Sequence, residues 1–156
     1  MNSTATLSPC RTYRYSLTRE WGRGLAVLFV GLNPSTADET MDDPTIRRCI
    51  SFARNWGYAR LHMANLFAFR ATKPSDMKNA IDPVGPENDR HLLALAEDSV
   101  LTVAAWGVHG TFGGRHNAVH RMLPRLHYLR LTKDGHPGHP LYLPGNLKPV
   151  AWDQDA

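Results

Sequence analysis

The sequence predicts an α/β fold of three layers, in which helices cover both faces of a central, mostly parallel sheet of four strands. Branched apolar runs alternate with amphipathic segments in the order β-α-β-α-β-α-β. This alternation favours parallel strands joined by helical crossovers. At 156 residues, the chain suits a single domain. Its 42% hydrophobic and 21% charged residues are typical of a folded protein rather than a disordered one.

At the N-terminus, residues 1–24 are predicted to form a strand or hairpin that extends the same domain, whose main part is 25–156. The stretch "TYRYSLTREWG" (12–22) alternates aromatic or apolar residues with polar ones, and Gly22 and Gly24 act as turn signals. Such alternation is typical of a strand with one buried face.

The central strands are predicted from apolar runs. "LAVLFVGL" (25–32) is rich in branched residues and carries no charge, as expected of a strand buried on both faces of a parallel sheet. Three later segments also have strand character: "RLHMANLFAF" (60–69), "VLTVAAWG" (100–107) and "HYLRL" (127–131).

Three helices are predicted between these strands. "DDPTIRRCISFARNWG" (42–57) has Pro44 where a first helical turn tolerates it, apolar residues at helical spacing, and Gly57 as a stop signal. "GPENDRHLLALAEDS" (85–99) has an acidic first turn, which the helix dipole favours. "RHNAVHRML" (115–123) is the third.

Ligands of such sheets bind beyond the carboxyl ends of the strands. The residues at or after the four strand ends are largely polar: Asn33 to Thr36, Asn65 and Arg70, Trp106-Gly107, and "TKDGHPGHPLYL" (132–143). The sequence therefore predicts a site that these strand ends share.

These strand ends carry motifs that resemble those of the uracil-DNA glycosylase superfamily. Gly31-Leu32-Asn33-Pro34 resembles its first motif, in which a strand ends in Gly, any residue, Asp or Asn, then Pro. Asn65 is similar to its base-reading asparagine, "AAWG" (104–107) to its third-strand Trp-Gly, and "HPGHPLYL" (136–143) to its second motif, which contains His-Pro. The four features occur in the same order, and the resemblance spans 25–143, most of the chain.

A second resemblance is closer. The stretches "LNPSTAD", "DDPTIRRC", "NLFAFRAT", "PVGPEND" and "HPLYL" resemble an uncharacterised family of bacterial and phage proteins, catalogued as domain of unknown function 1643. That resemblance supplies no activity. The functional expectations therefore come from the glycosylase resemblance.

The glycosylase resemblance implies hydrolysis of the N-glycosidic bond of uracil or a modified pyrimidine that is flipped out of DNA. Asn33 would orient the attacking water through its side-chain carbonyl, but an amide is a poor general base and can only position the water. Asn65 would pair with the Watson-Crick edge of the base. His139 would stabilise the negative charge that develops on the base, with His136 as the competing candidate.

The same resemblance implies a base pocket completed by Leu32, Pro34 and Ser35. In classical uracil enzymes an aromatic residue follows the motif proline and blocks pyrimidines that carry a 5-substituent, whereas this chain has Ser35. We therefore expect a roomier pocket, which a 5-substituted or otherwise modified pyrimidine can enter.

Contacts with DNA are expected from the last loop and from two basic residues. Lys133 and Arg70 would contact phosphates. The second motif lacks the usual Ser after His-Pro, so the part of the loop that pinches a phosphate is altered. Three bulky residues would fill the gap that a flipped nucleotide leaves: Leu141, Tyr142 and Leu143.

Each motif on its own also has a purely structural interpretation. Gly and Asn suit turns, so a strand that ends in Gly-x-Asn-Pro is also an ordinary turn signal. Asn65 is equally consistent with a strand-end cap, and Trp106 is expected to pack in the core without a catalytic role. Lys133 and Arg70 are also consistent with solvated surface charges.

Two polar clusters have competing interpretations. His116 and His120 lie four residues apart on the third predicted helix, as a metal pair would. No HExxH pattern or carboxylate accompanies them, so an ordinary helix face is favoured. A solvated loop that leads into a helix is favoured over a cation site for four acids: Asp38, Glu39, Asp42 and Asp43.

The expected partner is DNA, single- or double-stranded, with a flipped pyrimidine. A net charge of +4 gives weak support for a polyanionic partner. No cofactor and no metal is expected. Cys10 and Cys49 form no CxxC pattern and are expected to be free thiols of a cytoplasmic monomer. No membrane association is expected, because no apolar run approaches roughly 20 residues.

Two functions of other classes stay open. One is a non-catalytic module that recognises a base or nucleotide with the same pocket. The other is a hydrolase of free nucleosides or nucleotides, which fits the modest basic charge and the lack of a long basic stripe.

Overall fold

A computed structural model describes residues 1–152 and shows an α/β protein built on one mixed sheet. Within these residues seven strands form the sheet: β1 Asn2–Leu7, β2 Arg14–Glu20, β3 Ala26–Gly31, β4 Arg60–Asn65, β5 Leu101–Ala104, β6 Leu126–Tyr128 and β7 Val150–Ala151. Four α-helices accompany them: α1 Pro44–Asn55, α2 Pro74–Lys78, α3 Asn88–Glu97 and α4 Arg115–Met122. Two 3-10 segments span Val108–Gly114 and Pro140–Tyr142.

The strand order is β1-β2-β4-β3-β5-β6-β7. Its middle strands β4, β3, β5 and β6 pair in parallel, which confirms the predicted parallel set. The prediction of a mostly parallel sheet of four strands is wrong, because the hairpin of β1 and β2 and the short β7 add antiparallel edges. Within residues 1–152 the sheet has three antiparallel pairs beside the three parallel ones. The hairpin joins the sheet where β2 pairs with β4, with Leu17 opposite Met63.

Element boundaries differ from the predicted ones where the chain leaves the sheet. The predicted strand 60–69 ends at Asn65, and the backbone amides of Ala68 and Phe69 donate to carbonyls of residues 83–84 instead. Helix α3 begins at Asn88 rather than at residue 85. Helix α2 was not predicted, because its five residues are too few to show a helical period.

The apolar run of β3 contributes to both faces of the sheet. Val27 and Phe29 pack in a core with α1, whereas Leu28 and Val30 pack in a core with α2, α3 and α4. Because alternate residues of a strand point to opposite faces, helices lie on both sides of the sheet. Each fully buried apolar side chain of this size contributes about 1.5–3 kcal/mol to folding. Because its side chains enter both cores, β3 lies at the centre of the predicted three layers.

Helix α1 begins at the residues that its sequence signals predict. Asp43 is its N-cap and accepts a hydrogen bond from the backbone N–H of Ile46 at 2.9 Å, and Pro44 takes the first helical position. An N-cap of this kind contributes about 1 kcal/mol.

Cys49 is buried on this helix, and Cys10 and Cys49 are both unbridged. No helix within residues 1–152 has the length and apolar character needed to cross a membrane.

A buried arginine ties the loop between β3 and α1 to the sheet. Arg19 on β2 is fully buried. It donates to the Asp42 carboxylate at 2.8 Å and to the carbonyl oxygens of Asp38 and Met41 at 2.6 and 3.1 Å. The acidic loop is therefore held by a cation of the protein rather than simply solvated.

Arginine pairing also accounts for a second acid of this loop. Glu39 forms an ion pair of 2.7 Å with Arg11, which lies in the turn between β1 and β2. Among residues 1–152, no group of three or more His, Cys, Asp or Glu side chains is arranged to hold a metal ion.

Replacing Arg19 by Met should destabilise the fold by about 3 kcal/mol, because it leaves the Asp42 carboxylate and four backbone carbonyl oxygens without their donor. Arg60→Met is the control, since Arg60 is partly exposed and its two ion pairs are both 3.8 Å long. A loss of at most about 1 kcal/mol is expected there. Urea unfolding measures both values, and equal losses would contradict the special role of Arg19.

Candidate functional site

A cleft of about 950 Å³ lies at the carboxyl edge of the parallel strands. Its floor comes from the ends of β3, β4 and β5, and its walls from the start of α1 and from the segment that contains the two predicted histidines. Eight of the predicted site residues line it: Leu32, Asn33, Ser35, Asn65, His136, His139, Leu141 and Tyr142. The remaining four do not line it: Pro34, Arg70, Lys133 and Leu143.

Asn65 forms part of the cleft floor and carries an unused hydrogen-bond donor. Its side chain is 2% exposed, and its Nδ2 has no hydrogen-bond partner among residues 1–152. A buried donor without a partner costs about 1–3 kcal/mol. Asn65 therefore does not cap the strand end through its amide donor.

Two buried side chains hold the backbone around Asn65 in place. Asn88 at the start of α3 is fully buried, and its Nδ2 donates to the carbonyl oxygens of Asn65 and Leu66, both at 3.0 Å. Arg115 at the start of α4 donates through Nε to the Leu66 carbonyl at 2.8 Å and pairs with Asp89 at 2.5 Å. These contacts fix the strand end from which the Asn65 side chain enters the cleft.

Gly31 provides the space that the Asn65 side chain occupies. The two residues are paired in the parallel register of β3 and β4. A Cβ atom on Gly31 would lie 2.8 Å from Asn65 Oδ1 and 2.8 Å from Met63 Cε. Gly31 is not among the residues with positive φ. The turn preference suggested by the sequence is therefore not the reason for this glycine.

Asn33 presents its side-chain oxygen because its amide nitrogen is already used. Nδ2 donates to the carbonyl oxygens of Ala71 at 2.8 Å and Pro34 at 3.2 Å. The backbone N–H of Ala71 donates in turn to the Pro34 carbonyl at 2.9 Å. Pro34 is buried beneath this bridge rather than exposed in the cleft. The acceptor Oδ1 of Asn33 is left for a ligand.

His139 also lines the cleft, directly before the 3-10 turn Pro140–Tyr142. Its Nδ1 accepts a hydrogen bond from the backbone N–H of Leu141 at 3.2 Å, so a neutral ring carries its proton on Nε2. Burial lowers the pKa of the His139 imidazole, and the nearby Asp43 carboxylate offsets part of that shift. His139 is therefore suited to donate a hydrogen bond from a neutral ring.

Arg48, which sequence reasoning missed, anchors this turn to α1. Its guanidinium donates to the carbonyl oxygen of Pro140 at 3.4 Å and also to that of Leu143. It lies 5.2 Å from the centre of the Phe52 ring, one helical turn further along. An arginine on the apolar stripe of a predicted helix is the sequence signal that could have identified it.

Two of the predicted DNA-contacting residues line the cleft, and the other three do not. Leu141 and Tyr142 are 40% and 84% exposed at the rim of the cleft, and the Tyr142 ring lies 5.5 Å from that of His139. Leu143 instead packs against the core beneath α1. Lys133 is exposed and outside the cleft lining.

A shallower groove of about 420 Å³ leads from the cleft toward Arg70. The groove and the cleft share Ser35, Thr36, Ala71 and Thr72. Arg70 donates to the carbonyl oxygen of Ser35 at 3.3 Å, and no carboxylate pairs with it among residues 1–152. The Arg70 charge is therefore held in position without being neutralised.

Helix α4, which is the third predicted helix, and the Trp106-Gly107 motif after β5 contribute to packing. His116 and His120 do not line the cleft, and burial lowers the pKa of both imidazoles. The His120 ring lies 4.5 Å from Trp152. Trp106 is 2% exposed and its ring lies 6.0 Å from Trp152, as expected of a core residue.

Comparison with known proteins gives one match. A family model described as "Protein of unknown function (DUF1643)" matches residues 14–141. This range includes the strand ends, the start of α1 and the His139 turn up to Leu141. No curated protein and no solved structure matches the chain.

Replacing Gly31 by Ala should displace the Asn65 side chain and cost about 1–3 kcal/mol, because the new Cβ overfills the contact. Gly22→Ala is the matched control, since its Cβ would make only an ordinary contact at 3.8 Å with Ala59. Urea unfolding compares the two variants. Adding Asn65→Ser to Gly31→Ala should restore part of the loss, whereas strictly additive effects would contradict direct contact.

Proposed function

The chain belongs to the DUF1643 family, and we propose that it is a DNA glycosylase-like hydrolase that cleaves the N-glycosidic bond of uracil or a modified pyrimidine. The activity comes from the likeness of its strand-end motifs to the uracil-DNA glycosylase superfamily. The observation that carries the proposal is the buried, unpartnered Nδ2 of Asn65 in the cleft floor. It is supported by two further groups in the same cleft, Asn33 and His139.

Asn65 suits the edge of a uracil-type base. Its Nδ2 is a donor for a ring carbonyl, and its Oδ1 is an acceptor for the neighbouring ring N–H. A base that accepts from Nδ2 would satisfy the donor that is buried without a partner. Recovering that cost of about 1–3 kcal/mol favours bases with a carbonyl at this position.

His139 can stabilise the departing base by donating a hydrogen bond to it. When the glycosidic bond breaks, its electron pair stays on the base, and the negative charge spreads to the ring oxygens. The Nε2–H of a neutral His139 would donate to such an oxygen, and its position is fixed by the bond from the Leu141 amide. A preorganised donor of this kind contributes about 2.7–4 kcal/mol to transition-state stabilisation. His136 also lines the cleft and is the second candidate.

Asn33 suits the attacking water. Its Oδ1 is an acceptor at the cleft, because its Nδ2 is held by the Ala71 and Pro34 carbonyls. Holding a water in line with the reacting carbon removes part of the entropy cost of the reaction. Ser35 stands beside Asn33, and a cleft of about 950 Å³ has room for a substituent on the base.

One observation favours a non-catalytic module instead. The first motif supplies an amide, Asn33, and an amide cannot accept the proton of the water at neutral pH. Another observation weighs against a hydrolase of free nucleosides. The groove that leads from the cleft to the unneutralised Arg70 fits a phosphate outside the reacting nucleotide, as in a polynucleotide.

An oligonucleotide panel tests the activity. Single- and double-stranded oligonucleotides carrying uracil, mismatched thymine or 5-substituted pyrimidines are incubated with the protein and treated with alkali, which breaks abasic sites. We expect breaks at uracil or at a modified pyrimidine. His139→Ala should abolish them while binding persists. Binding by the wild type without breaks would instead favour the non-catalytic module.

Asn65→Asp should weaken cleavage of a uracil-type base by about a hundredfold, because the amide donor is replaced by an acceptor. The side chains of Asn and Asp have nearly the same shape, so the substitution retains the shape of the pocket. Asn79→Asp is the matched control outside the cleft lining. Rates are measured under single-turnover conditions, and equal rates for wild type and Asn65→Asp would refute base reading by Asn65.

Arg70→Ala should weaken oligonucleotide binding and reduce the slope of log affinity against log salt by about one, as expected when one phosphate contact is lost. Arg90→Ala is the control, because Arg90 is an exposed arginine on α3 outside both the cleft and the groove. Fluorescence anisotropy between low and moderate salt measures both slopes. A slope unchanged by Arg70→Ala would exclude the phosphate contact.

A further inference from the structure

One acid of the loop before α1 differs from its neighbours. Asp38 and Glu39 lie within ion-pair distance of Arg11, and Asp42 pairs with Arg19. Asp43 takes part in no ion pair among residues 1–152. It is also the one acid of these four that lines the cleft.

The Asp43 carboxylate is fixed by one of its oxygens. Oδ1 accepts the hydrogen bond from the Ile46 N–H at 2.9 Å, and Asp43 itself has extended backbone, with φ −109° and ψ 174°. Oδ2 has no hydrogen bond to the described residues 1–152 and remains an acceptor. The carboxylate therefore has a fixed position in the cleft that also contains Asn33 and His139. Its charge acts on the His139 ring.

The proposed reaction needs a group of this kind. Hydrolysis requires the attacking water to lose a proton, and it passes through a sugar with positive charge. Asn33 can orient the water, but its amide cannot take up the proton. Among described residues of the cleft lining, the carboxylates are Asp43 and Asp134. Asp134 is exposed in the loop after β6, without a hydrogen bond that fixes its side chain.

We propose that Asp43 is the general base of the hydrolysis, an inference that rests on the proposed glycosylase function. The water oxygen forms a bond to the sugar carbon C1′ as the bond from C1′ to the base nitrogen breaks. The electron pair of that bond leaves with the base. One proton of the water passes to Asp43 Oδ2 and then to solvent, and the base anion takes up a proton from solvent. Asn33 holds the water and His139 holds the base.

Two substitutions separate this role from helix capping. Asn and Ser cap helices about as well as Asp, so Asp43→Asn and Asp43→Ser should keep the thermal midpoint of the wild type. Both should lower the single-turnover cleavage rate by about a hundredfold or more, the usual contribution of a general base. Affinity for the oligonucleotide should be unchanged or slightly higher, because a negative charge is removed near the phosphates.

Formate rescue is expected if the Asp43 carboxylate acts in the reaction, and is not expected if Asp43 has only a structural role. Ser is smaller than Asp, so Asp43→Ser leaves space in which formate can replace the carboxylate. Added formate should restore part of the cleavage rate of Asp43→Ser and leave that of the wild type unchanged. Asp76→Asn is the matched control, because Asp76 lies in the first turn of α2 outside the cleft lining. It should cleave at the wild-type rate.

The possible results distinguish the two proposals. Cleavage by the wild type together with equal cleavage by Asp43→Asn would overturn the role of Asp43 and leave the glycosylase function standing. Slower cleavage that follows a lower thermal midpoint, without formate rescue, would also overturn it in favour of capping alone. Failure of the wild type to cleave any member of the oligonucleotide panel would overturn both proposals.

Discussion

The contact between Gly31 and the Asn65 side chain is the constraint on which the cleft floor depends. The parallel register places these residues side by side at the last pair of β3 and β4, and only a residue without Cβ leaves room for Asn65 Oδ1. A slip of one residue would put the side chain on the other face of the sheet. Asn88 and Arg115 hold the adjoining carbonyls from two helices, so the register and the helix positions stabilise each other.

The two walls of the cleft depend on arginines in a similar way. Arg19 holds the loop that leads to Asp43, and Arg48 holds the turn that follows His139. Each guanidinium binds several backbone carbonyls, which a single point charge such as lysine could not match in geometry. Both loops are thereby fixed, and functional groups on loops need such support to keep their positions.

The sequence alone predicts the elements whose signals are local. Apolar runs identified the four parallel strands, and Pro44 with the acids before it identified the start of α1. The strand-end rule also brought Asn33, Asn65 and His139 to one cleft. Long-range partners were missed. Nothing near Asp43 in sequence reveals that Arg11 and Arg19 neutralise its neighbours, and the antiparallel β7 has only two residues.

The two asparagines show why residue type alone does not fix a chemical role. Both lie at the same edge of the sheet, and both side chains carry one donor group and one acceptor. The Ala71 and Pro34 carbonyls occupy the donor of Asn33, so it offers an acceptor. No described group occupies the donor of Asn65, so it offers a donor. Neighbouring backbone thus leaves Asn33 with its acceptor alone, whereas Asn65 keeps the donor that the proposed contact with a base uses.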